Sequence, residues 1–206
     1  MSSSTPPTHG MSTGRLEAFS DGVFSIVITL LVLELRLPPG DAPLHDKLLA
    51  IWPKIVTFAS TFIFIGIYWV GHHGVFHLIR RVDKTLLWIN LALLLSITFV
   101  PFPAAVLGEH PLDPVAIRFY CGSAMVVGAG FTSLYLYTFR SDCHGDVVLD
   151  EETSRILLLR CLIAPVIYAL AFCASYIEPR ASLALFVLVP LIYIPPNRLD
   201  VRHLRH

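Results

Sequence analysis

Charged residues divide the chain into long uncharged runs. Between Lys54 and Arg80 lie 25 residues without Asp, Glu, Lys or Arg, between Lys84 and Glu109 lie 24, and between Arg118 and Arg140 lie 21. At about 1.5 Å per residue, each run crosses the roughly 30 Å of bilayer hydrocarbon as a helix. Two runs of 17 follow, Arg160 to Glu178 and Arg180 to Arg198, interrupted by Pro165, Pro190 and Pro195. They span where neighbouring helices cover the backbone groups that proline frees. A further segment, Leu16 to Leu37, contains Glu17, Asp21 and Glu34 and keeps only twelve uncharged residues, Gly22 to Leu33. Its dense apolar pattern, VFSIVITLLVLEL, reads as a span shielded from lipid by the other five. The pattern predicts an all-α membrane protein with six transmembrane helices over residues 15–197. A disordered cytosolic tail is expected over 1–14 and a short basic tail over 198–206.

Composition supports a lipid solvent, since 55% of residues are hydrophobic, 15% are charged and the mean hydropathy is +0.68. Net charge is zero and no nucleic-acid motif appears, so no nucleic-acid partner is expected. With six spans and a cytosolic N-terminus, Arg15, Arg80, Arg81, Lys84, Arg140, Arg155, Arg160, Arg198, Arg202 and Arg205 face the cytosol. These are ten of the fifteen basic residues, which places both termini inside. The first fourteen residues lack the basic start of a signal peptide. Cys121, Cys143, Cys161 and Cys173 show no CxxC spacing and read as small core residues.

Within the first span the string Arg15-Leu-Glu-Ala-Phe19-Ser20-Asp21 sets an ionisable group inside the membrane, which points to function or to a polar clasp between helices. Asp21 is six residues in from Arg15, Asn90 six in from Lys84 and His72 eight in from Arg80, all about 9–12 Å from the boundary. His72, His73, Trp88 and Asn90 can donate to the aspartate at that depth, so a clasp is the expectation. His73 and His77 are one turn apart, but no HExxH, no carboxylate at i+3 and no cysteine accompanies them. No metal site and no cofactor are expected. Asp146, Asp150, Glu151 and Glu152 read as a solvated loop, and Gly66, Gly71, Gly122, Gly128 and Gly130 as helix-packing positions. No nucleophile with a base, paired carboxylates or phosphate-cradling loop is present, so the chain does not read as an enzyme.

On a helical wheel, Leu30, Leu33 and Leu37 lie within about 40° of Ile26, Thr29 about 60° to one side and Asp21 about 140° away. Such a stripe either packs against a helix or lines a pore. A proton-coupled transporter using Asp21 and His72 as a relay and a non-conducting accessory protein are the rival readings.

The Arg15-xxx-Phe19-Ser20-Asp21 string continues through GVFSIVITLLVLEL, YWVGHHGVFHLIRRVD and LLWINLALLLSITFVPFP. Together these blocks resemble the transmembrane protein 175 family of potassium channels over roughly residues 15 to 107. Gly74 departs from the pattern, which has a larger or basic residue there. The resemblance implies a six-helix subunit, a homotetramer in a bacterial plasma membrane, and a central pore lined by the first helices. It further implies a hydrophobic constriction at Ile26, Leu30 and Leu33, a selectivity role for Thr29, and monovalent cations, chiefly potassium, as the permeant species. Membrane lipid is the surrounding partner.

Overall fold

In the computed structural model, residues 13–140 and 151–193 are described. Cys143, Asp146, Asp150, Pro195 and the basic tail at 198–206 lie outside the described residues, and so does most of the expected N-terminal tail. The first helix, α1 (Thr13–Leu30), begins two residues before the expected boundary and tightens into a 3₁₀ turn, Leu31–Glu34. Pro38 and Pro39 cannot continue a helix, and Gly40, at φ 105°, turns the chain through the left-handed region. A short helix that the charge pattern did not predict, α2 (Leu44–Ala50), follows with no buried residue.

α3 (Trp52–Leu78) starts with Pro53 in its first turn, where a missing N–H is harmless, and ends before Arg80. α4 (Lys84–Phe99) is capped by Asp83, whose carboxylate accepts from the Leu86 N–H at 2.7 Å. Pro101 then opens α5 (Pro101–Glu109), so the third expected span is one helical path in two pieces. Pro101 has no proton for the Ile97 carbonyl, which instead accepts from the Val100 N–H at 3.1 Å. α6 (Pro114–Arg140) is followed by α7 (Glu151–Ala174), with Pro165 inside it, and α8 (Pro179–Tyr193).

Among the described residues, five helical stretches are long and apolar enough to cross a membrane: Thr13–Glu34, Trp52–Leu78, Lys84–Glu109, Pro114–Arg140 and Leu157–Ala174. The apolar stretch of α8, Pro179–Val189, is shorter. Lys54 pairs with Glu109 at 3.0 Å at one end of the bundle, and Arg118 lies over the Tyr176 ring, 4.3 Å from its centroid. Asp83 and Tyr137 are hydrogen-bonded at the opposite end, which also carries Arg15 and Arg80. The helices therefore run alternately up and down.

α6 is the hub, packing most closely on α7 and α4. A β-carbon at Gly128 would overlap Pro165, and one at Gly71 would sit 2.8 Å from Phe131, so these two glycines do bring helices together. Gly66 and Gly122, expected to do the same, face open space within the chain. Edge-to-face rings of Phe64 on α3, Tyr120 on α6, Tyr168 on α7 and Phe186 on α8 fill the centre. Of the cysteines, Cys121 is buried there as expected, whereas Cys173 is exposed.

α1 stands at the edge. Leu16, Ser20, Phe24, Val27 and Leu31 recur at helical spacing on its buried face, which packs on α3 and α4. The opposite face is apolar and uncovered.

Candidate functional site

The buried face of α1 carries one hydroxyl, Ser20, and that hydroxyl is the centre of a hydrogen-bonded chain across three helices. The Ser20 hydroxyl donates to the Leu16 carbonyl at 2.9 Å and accepts from Asn90 Nδ2 on α4 at 3.0 Å. With its amide nitrogen so engaged, Asn90 offers Oδ1 to His72 Nε2 on α3, 2.8 Å away. Oδ1 can only accept, so His72 carries its proton on Nε2. Ser20, His72 and Asn90 are all fully buried. The imidazole stacks on Phe76, with centroids 4.2 Å apart, and leans on Phe24 at 5.4 Å. Its Nδ1 is buried without a hydrogen-bond partner.

Asp21, the expected centre of the clasp, belongs to a different contact. One residue further along the helix turns it about 100° from Ser20, and its carboxylate accepts from the Trp69 indole N–H on α3 at 2.8 Å. Depth in the membrane matched Asp21 to His72 and Asn90, but azimuth separates them. Trp88, expected among the donors, is 72% exposed and makes none of these bonds. Arg15 and Phe19 are likewise on open surface.

His73 turns the other way from His72 and meets Glu17 of α1, with Nδ1 3.0 Å from the carboxylate. Its Nε2 lies 3.0 Å from Nε2 of His77, and its ring stacks on Trp69. Neither Glu17 nor Trp69 stood out in the sequence as a partner. The signal was present for Glu17, which sits one turn before Asp21 and therefore reaches the same neighbouring helix, α3.

The open face of α1 carries the predicted stripe. Ile26 is 60% exposed, Leu33 58% and Leu30 42%, whereas Ile28 on the other side is half-buried and packs against the core. Thr29 is exposed beside them, and its hydroxyl donates to the carbonyls of Ile26 at 2.8 Å and Ser25 at 3.1 Å. The hydroxyl proton is thus held by the helix, which leaves oxygen lone pairs facing outward. Ser25 does the same one turn earlier, donating to the Asp21 carbonyl at 2.8 Å.

Residues 15–101 match the sequence profile of the family described as the endosomal/lysosomal potassium channel TMEM175. A protein of Chamaesiphon minutus named as a potassium channel is 37% identical over 184 residues, which are 85% of this chain and 91% of that protein. One of Streptomyces collinus, also named as a potassium channel, is 34% identical over 187 residues, 88% of this chain and 91% of that protein. Among solved structures, a lysosomal potassium-selective channel TMEM175 homolog from Chamaesiphon minutus matches with a TM-score of 0.77 at 33% identity. That match covers 88% of this chain and 95% of the other. The fold and these relatives define a multi-pass α-helical membrane protein of an ion-channel class, not an enzyme class. The chain belongs to the TMEM175 family.

Proposed function

We propose that this chain is a potassium-permeable, weakly selective cation channel, a homotetramer of six-helix subunits in a bacterial plasma membrane. The α1 helices of the four subunits surround the pore, and Ile26, Leu30 and Leu33 form hydrophobic rings that gate by dewetting. Both termini are cytosolic, α8 completing the sixth span. The observation that carries this reading is the uncovered apolar stripe on α1, a helix whose other face is fastened by the buried Ser20–Asn90–His72 chain. The exposed hydroxyls of Ser25 and Thr29 border that stripe, and such polar groups suit a water-filled pore shared by symmetry copies better than lipid. Thr29 places an oxygen beside the stripe for a partly dehydrated ion.

The transporter reading needs Asp21 and His72 in one relay. They are bonded to different partners, Trp69 and Asn90, which favours the channel. Purified protein in liposomes under a potassium gradient should pass potassium without saturation and sodium more slowly. Flux that saturates and tracks a pH gradient would make it a transporter, and no flux at all an accessory protein.

A further inference from the structure

The clasp leaves one polar cluster unused. His73 and His77 are one turn apart on α3, with Nε2 atoms 3.0 Å from each other and ring planes 80° apart. Glu17 reaches them from α1, Oε1 standing 3.0 Å from His73 Nδ1. One ligand atom from each of the three lies within 4.8 Å of the other two. Two imidazole nitrogens bound to one ion at about 2.0–2.1 Å stand about 2.9–3.4 Å apart, whether the geometry is octahedral or tetrahedral. The observed separation is therefore that of neighbouring ligands. An ion there would take the place of the single proton the two Nε2 atoms share.

We propose that His73 and His77 bind a divalent first-row transition-metal ion through their Nε2 atoms, with zinc the best match, and that Glu17, on the other nitrogen of His73, orients that ring and ties α1 to the site on α3. Two imidazoles suit zinc, cobalt, nickel or copper, whereas magnesium and calcium take oxygen ligands. Two protein ligands leave the remaining positions to water. Trp69 holds the site in shape, since its indole stacks on His73 at 6.0 Å and is itself fixed by Asp21. Glu17 is about 180° around the helix from Ile26, so the ion sits behind α1 and does not plug the stripe. Its effect on conduction, which rests on the channel reading, is to hold the helix still.

Cobalt is the probe, because its visible d–d bands report nitrogen and oxygen ligands directly. The full chain, purified in detergent with any affinity tag removed, should develop these bands and saturate at a single Co²⁺ per chain. Zinc should displace the cobalt and raise the melting temperature. His77 is exposed and Glu17 half-buried, so His77→Gln and Glu17→Gln should fold as the wild type does. His77→Gln, which removes a ligand, should weaken cobalt binding by more than the roughly hundredfold that an outer-shell partner is worth, and Glu17→Gln, which removes such a partner, by about 10–100-fold. Bands of equal strength in wild type and His77→Gln, or no bands in wild type at millimolar cobalt, overturn the proposal. Binding is read without ion flux, so a chain that binds cobalt but passes no potassium sinks the channel reading and leaves the metal site standing. Potassium flux without cobalt binding does the reverse.

Discussion

His72 Nε2 and Asn90 Oδ1 are joined by a 2.8 Å hydrogen bond that is sealed from solvent and fixes the proton on one side of the imidazole. It binds α3 to α4, and Asn90 passes the connection to Ser20 on α1. A single amide thus holds three helices in register.

Replacing Asn90 with Ala strands one buried donor, the His72 Nε2–H, at about 1–3 kcal/mol, and also takes away the bond the Ser20 hydroxyl accepts, leaving that hydroxyl only its bond to the Leu16 carbonyl. Asp21→Ala removes the partner of the Trp69 indole N–H, a single bond at the edge of the bundle, at about 1 kcal/mol. Thermal melting of the detergent-purified protein should therefore fall further for Asn90→Ala than for Asp21→Ala, and assembly should follow the same order. The reverse order would put the weight of the clasp on the aspartate. Normal melting in Asp21→Ala with flux lost would assign that residue to ion handling.

Thr29→Val keeps the shape of the side chain and removes its oxygen. The valine forfeits the outward lone pairs together with a donation to backbone carbonyls that adds little to helix stability. Stability should change little and conductance persist, while the preference for potassium over sodium falls. The measurement is the reversal potential under bi-ionic conditions, and an unchanged value removes Thr29 from selectivity.

Ile26 and Ile28 are two residues apart and differ in surroundings, one uncovered and the other packed against the core. Ile26→Asn should wet the ring proposed there, raise flux and weaken discrimination among monovalent cations. Ile28→Asn should instead lower the melting temperature, since it buries an amide among apolar side chains at about 1–3 kcal/mol. Single-channel currents that rise in the Ile28 variant and not in the Ile26 variant would place the pore on the wrong side of α1.

The spans were legible because a charge-free run is a one-dimensional signal. The runs after Lys54, Lys84 and Arg118 became α3, the α4–α5 path and α6. The stripe was legible too, since helical period alone puts Ile26, Leu30 and Leu33 on one face. What depth could not supply was direction around each helix. It grouped Asp21, His72, Asn90 and Trp88, and only Ser20, His72 and Asn90 share a network. Trp69 and Glu17 escaped notice because their partners lie on another helix, and helix-to-helix rotation is set by packing of whole faces. The α2 helix was hidden by its length, too short for a periodic pattern to emerge.

Among the described residues, every polar tie from α1 to the rest of the bundle, at Glu17, Ser20 and Asp21, lies near one end. Beyond them apolar residues, Phe24, Val27, Ile28 and Leu31 among them, hold the helix through contacts that have no preferred direction. Mechanically this is a lever with its fulcrum at Ser20. Ile26 is about 9 Å along the arm and Leu33 about 20 Å, at about 1.5 Å per residue. A tilt of α1 therefore sweeps Leu33 through about twice the arc of Ile26, and in the proposed tetramer four such arms would dilate the far ring well before the near one.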